Sequence, residues 1–141
     1  MTDRGLVTKK LAFLESRLRE LRAHVRPAQI ETDVEHLGYV ERCLQVVVQA
    51  AMDVASHIVS DEALGEPRRN RDMFELLHRH GWLPQDLVAG LVRMVSFRNI
   101  LVHGYEIVEP KIVRRIVETN LGDLDTFAAL LRARLSGSGG G

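Results

Sequence analysis

Apolar residues spaced alternately three and four apart run through almost all of this 141-residue chain, and that rhythm confines it to α-helix. Such spacing draws a stripe along one side of a helix, whereas a half-buried strand needs alternation at every second residue. Val7, Leu11, Leu14, Leu18, Leu21 and Val25 form the first stripe. Pro27 predicts its end, because proline disfavours helical geometry in the residue before it. Thr32 followed by Glu35 has the form of a capping box opening a second helix. Leu37, Val40, Leu44, Val47, Ala51, Val54 and Ile58 continue the rhythm, and Tyr39, Cys43, Val46 and Ala50 widen the apolar face. A helix with so broad a face meets neighbours on two sides, which predicts a central position.

Residues 65–70 form a polar break. A short third helix near residues 71–80 turns Met73, Phe74, Leu76 and Leu77 inward and ends at Gly81. Pro84 and Asp86 suit the opening of a fourth helix, the proline by its fixed φ and the carboxylate by the positive dipole end. Its inner face is Leu87, Leu91, Met94, Val95 and Leu101. Pro110 opens a fifth helix carrying Ile112, Ile116, Leu124, Phe127 and Leu131. Strand-like alternation and internal repeats are absent. The expectation is an all-α, up-and-down bundle of about five helices, a single domain over residues 1–135, with residues 136–141 a flexible Gly/Ser tail.

Nineteen basic and nineteen acidic residues cancel, so no overall field draws the chain to nucleic acid or membrane, although local patches still form. A single cysteine, Cys43, makes no intramolecular disulfide and fits a reducing cytosol; its apolar neighbours predict a buried small hydrophobe. The first residues contain no apolar leader, and no uninterrupted run approaches the ~18 apolar residues of a membrane span. A cytoplasmic protein without a membrane partner is expected.

Against this apolar pattern stands Phe97-Arg98-Asn99-Ile100-Leu101-Val102-His103-Gly104-Tyr105. A guanidinium and an imidazole are costly to bury unless paired, so the cluster is either a satisfied network or a site. Arg98 and His103 are five apart, about 140° around a regular helix, and do not share a face. Asn99 and His103, four apart, do, which predicts that Asn99 supports the histidine. Gly104 suits a helix end, placing His103 in the last turn and Tyr105 just beyond it. Imidazoles titrate near neutral pH and give or take a proton, and arginine presents a planar fork of donors to a phosphate. Such a pair suits RNA cleavage without a metal. A base takes the 2'-hydroxyl proton, an acid protonates the leaving 5'-oxygen, and the arginine stabilises the charge that develops. Arg68, Arg69 and Arg71, in the loop before the third helix, are candidate RNA contacts. Glu75-x-x-His78 has the spacing of a carboxylate–histidine metal motif, but its one approximate partner, Asp33-x-x-His36, lies near a helix start. No metal or cofactor is expected.

The nine-residue string resembles the Arg-x4-His-x-Tyr motif of the HepT-like branch of the HEPN superfamily. Residues 53–58, Phe74-Glu75-Leu76-Leu77 with Gly81 and Leu83, and Met94-Val95-x-Phe97 also resemble that branch, over roughly residues 5–135. The resemblance implies a metal-independent ribonuclease, the toxin of a type VII-like toxin–antitoxin pair. It implies a homodimer bringing two motif copies to one cleft, with Arg98 and His103 catalytic. It further implies an MNT-type nucleotidyltransferase antitoxin that silences the toxin by transferring AMP to the motif tyrosine, here Tyr105. The alternative is a non-catalytic helical partner of a nucleotidyltransferase, binding nucleotide or protein through the same face.

Overall fold

Asp3 starts the first helix: its carboxylate accepts the Leu6 N–H at 3.1 Å and caps α1 (Arg4–His24), whose buried residues are Val7, Leu11, Leu14, Leu18 and Leu21. These positions come from a computed structural model that describes residues 2–104 and 107–139. A 3-10 turn at Pro27–Gln29 leads into α2 (Val34–Asp61). Asp33, not Thr32, is the cap of α2. Thr32 is still inside the preceding turn, its N–H bonded to the Gln29 carbonyl at 3.2 Å. The Asp33 carboxylate instead accepts from the N–H groups of Glu35 and His36 at 3.0 and 3.2 Å, where a negative charge also meets the positive dipole end.

There follow α3 (Asp72–Arg79), α4 (Gln85–His103), α5 (Pro110–Thr119) and α6 (Leu121–Gly139). The described residues thus form an all-α bundle, with α2 at its centre in contact with α1, α3, α4 and α5. By length and composition α2 could cross a bilayer, but 56% of its most apolar window is buried inside the bundle, as suits a core helix. The widened face behaves unevenly. Ala50 is buried, whereas Tyr39 and Val46 remain 36% and 38% exposed and Cys43 is half-buried. These three lie on the flank of α2 that the other helices leave uncovered.

The segment read as one fifth helix is two. Asn120 keeps its bond to the Ile116 carbonyl at 2.8 Å, but its side-chain amide donates to Asp123 Oδ2 at 3.1 Å and its own carbonyl accepts the Asp123 N–H. This local competition with the helical ladder is what asparagine does best. The break lets α5 bury Val113, Ile116 and Val117 against α2 and the 3-10 turn, leaving Ile112 partly exposed, while α6 packs Leu124, Phe127 and Leu131 toward α1 and α4. Where α4 passes α6, a Cβ on Gly90 would come within 2.2 Å of Asp123 Oδ2, so only glycine admits that approach. The ladder of α6 continues to Gly139, beyond Leu135, its last buried side chain. Extending a formed helix is cheap compared with nucleating one, which draws part of the expected flexible tail into helix.

Candidate functional site

Arg98 is half-buried on α4 and its guanidinium is turned toward α2. Nη2 donates to Gln49 Oε1 at 2.6 Å, and Nη1 donates to the adjacent Asn99 Oδ1 at 3.1 Å. Gln49 Nε2 in turn donates to Asp53 Oδ1 at 2.9 Å, one turn along α2. The Arg98 Nε–H is buried without a partner. Asn99, expected from its spacing to support His103, gives its carbonyl oxygen to Arg98.

These groups border an open groove of about 370 Å³ between α1, α2 and α4. Phe13, Val46 and Val102 are its apolar walls, and Arg42, Asp53 and Arg98 its charged groups. In a separate, smaller cavity between α1 and α2, partial burial and then a hydrogen bond with Cys43 push the Tyr39 hydroxyl above its ordinary pKa. His103 follows Val102 in the last turn of α4 and is exposed. Gly104 ends the helix as its type predicts, left-handed with φ 68° and its N–H on the Ile100 carbonyl at 3.1 Å. Tyr105 lies outside the described residues.

Arg68, Arg69 and Arg71 are not among the residues lining this groove. They follow the end of α2 at Asp61, eight residues or about 12 Å of helix beyond Asp53, the last groove residue on α2. The loop also serves itself. The N–H groups of Arg68 and Arg69 donate to Asp72 Oδ2 at 3.1 and 3.0 Å, and Arg71 pairs with Glu75 at 3.8 Å. Desolvation pushes the Asp72 carboxyl up, but those N–H groups and the charges of Arg69 and Arg71 outweigh it and hold the carboxyl below its usual range.

Two groove residues, Gln49 and Arg42, escape a reading that follows apolar stripes. Their signal is present nonetheless: Arg42, Gln45, Gln49 and Asp53 recur at intervals of three and four, a polar stripe on the flank of a core helix. A larger groove of about 900 Å³ runs along another face of α4, lined by Val92, Phe97, Ile112 and Ile116 among others. It includes neither Arg98 nor His103, and chemistry favours the smaller one. Among the described residues no three His, Cys, Asp or Glu side chains gather as a metal site. His78 Nδ1 lies 2.8 Å from the Leu83 carbonyl, and the buried His36 accepts the Arg26 N–H at 2.9 Å, so both serve the fold.

The sequence profile described as Ribonuclease HepT-like matches residues 14–131. The chain belongs to the HepT-like ribonuclease family. HepT-like relatives include the mRNA nuclease HepT of Shewanella oneidensis, 37% identical over 90 residues that make up 64% of this chain and 68% of that protein. The tRNA nuclease HepT of Aphanizomenon flos-aquae is 34% identical over 70 residues, 50% of this chain and 48% of that one. In three dimensions the chain matches the tri-AMPylated HEPN toxin of S. oneidensis, solved in complex with MNT antitoxin, with a TM-score of 0.84 and 30% identity over 94% of this chain and 99% of the toxin. The bundle is therefore the HEPN-like helical fold, as the motif and helix order predicted.

Proposed function

We propose that this HepT-like protein is the toxin of a two-gene toxin–antitoxin pair, a cytoplasmic homodimeric endoribonuclease that needs no metal. The observation carrying this reading is the Arg98 guanidinium, held on a groove wall by neutral partners, with His103 five residues further along the same helix. Within one protomer the two side chains leave α4 about 140° apart. One imidazole per chain is also thin for two proton transfers. A second protomer facing the groove supplies a second arginine and a second histidine.

In that cleft one His103 takes the proton of the 2'-hydroxyl, and the 2'-oxygen attacks the adjacent phosphorus. The bond from phosphorus to the 5'-oxygen breaks, and the other His103 protonates that oxygen. The products are a 2',3'-cyclic phosphate and a 5'-hydroxyl. Arg98 stabilises the charge that builds on the phosphate oxygens between these transfers. The deciding assay is cleavage of varied RNAs by unmodified protein in excess chelator. Cyclic phosphate ends are expected. A protein that cuts none of them, yet binds a nucleotidyltransferase tightly, is instead a non-catalytic partner subunit.

Silencing follows from the position of Tyr105, two residues past His103. An AMP group on its hydroxyl, left by an MNT-type nucleotidyltransferase, would add negative charge and bulk two residues from His103 and give Arg98 a rival for the RNA phosphate. The tri-AMPylated state of the S. oneidensis toxin supports this reading. Tyr105→Phe is expected to cleave RNA and to keep doing so after incubation with antitoxin and ATP, whereas the wild type loses activity and gains adduct mass. Equal silencing of both proteins would exclude Tyr105 as the modified group.

A further inference from the structure

Gln49 stands between two charges of opposite sign. Its Oε1 accepts from Arg98 at 2.6 Å and its Nε2 donates to Asp53 at 2.9 Å. A guanidinium only donates and a carboxylate only accepts, so the amide has one orientation that satisfies both. Asp53 fixes the sense of the amide, and the amide fixes the guanidinium. We propose that Gln49, oriented by Asp53, is a positioning residue of the nuclease: it aims Arg98 at the scissile phosphate while leaving the arginine's charge undiminished. This inference rests on the reading of Arg98 as the phosphate-binding group.

The choice of residue type supports it. A glutamate at position 49 would hold the guanidinium by a charge-assisted pair, but would offset the positive charge the phosphate needs and would face Asp53 across one helical turn. An aliphatic side chain would leave Arg98 and Asp53 half-buried and short of partners. Glutamine bonds both and neutralises neither. Asp53 then acts on Arg98 at one remove, through the amide dipole. Two of the five guanidinium N–H groups are engaged, by Gln49 and Asn99; the Nε–H is buried, and the second N–H on each terminal nitrogen remains for a phosphate. Asn99 braces the same guanidinium from the α4 side, so the fork is held at both terminal nitrogens.

Catalysis is sensitive to such aim, since a displacement of about 1 Å can cost about 100-fold. In the full-length homodimer, Gln49→Ala is expected to lower kcat by roughly 10- to 100-fold with KM changed less than about threefold. Arg98→Ala is assayed alongside. Gln49→Ala at the wild-type rate beside an inactive Arg98→Ala overturns the positioning role and leaves the Arg98 reading standing. Full activity in Arg98→Ala removes that reading and this inference with it. A second readout needs no turnover: binding of 2'-O-methyl RNA, which lacks the nucleophile, measured against salt. Gln49→Glu is expected to flatten the slope of log K against log salt by about 0.7 for each arginine it neutralises, while Gln49→Ala keeps the wild-type slope. An unchanged slope in Gln49→Glu overturns the claim that glutamine preserves the charge, whatever Gln49→Ala does to folding.

Discussion

His103→Ala is expected to lower RNA cleavage by about 10³- to 10⁴-fold and to leave the thermal transition close to that of the wild type. The rate follows from chemistry: a positioned acid or base contributes about 10²–10⁴-fold, and in a shared cleft the substitution removes both groups at once. The stability follows from place. His103 is exposed in the last turn of α4, past the buried Phe97, and truncating an exposed side chain costs within about 0.5 kcal/mol. Mixed dimers sharpen the test. If one histidine is the base and the other the acid, a dimer with one wild-type and one His103→Ala protomer falls nearly as far as the double mutant. Half-activity in mixed dimers would mean two independent sites. Arg98→Ala is expected to lose about 10²–10³-fold, as removal of one oxyanion donor does, and Arg98→Lys to recover little, because an ammonium cannot bond Gln49, Asn99 and a phosphate as a planar fork does. Wild-type rates in His103→Ala would end the proposed mechanism.

The parts of this molecule legible in its sequence are those where one residue type meets one physical demand. The stripe from Val7 to Leu21 became the buried face of α1, and Gly104 ended α4 because the chain there turns left-handed. The misreadings share a different origin: they fell where two polar residues competed for the same backbone group or neighbour. Thr32 and Asp33 both suit a cap, and a turn closed on Gln29 gave the position to Asp33. Asn120 interrupts a stripe of unbroken periodicity because its side chain finds Asp123. The site divides in the same way. Arg98 and His103 announce themselves as polar residues on an apolar helix, whereas the role of Gln49 depends on the pairing of α2 with α4. Spacing within one helix carries no trace of that contact.

Val46→Asp is expected to convert the proposed homodimer to monomer and to abolish cleavage with it. Three large apolar side chains from three different helices, Phe13 at 52%, Val46 at 38% and Val102 at 48% exposure, stand around the groove that holds Arg98. Isolated apolar residues on a surface need no explanation, but a cluster beside the polar site is what a partner face looks like. A two-fold interface meets itself, so one substitution places two carboxylates in the same buried patch. Leaving both uncompensated costs several kcal/mol, enough to weaken dimerisation at least about 100-fold. The protomer itself should survive, because Val46 already faces outward while its neighbours Val47 and Val48 carry the core. Sedimentation and cleavage followed over the same range of protein concentration make the comparison. Activity should return only where the dimer does. Leu130→Asp, at an equally exposed position on α6 away from the groove, is the control expected to remain dimeric and active. A monomeric Val46→Asp protein that cleaves at the wild-type rate would show that one Arg98 and one His103 suffice. The groove would then be complete within a single chain, and the 140° between the two side chains would have to be closed by Arg98 leaving Gln49 when RNA binds.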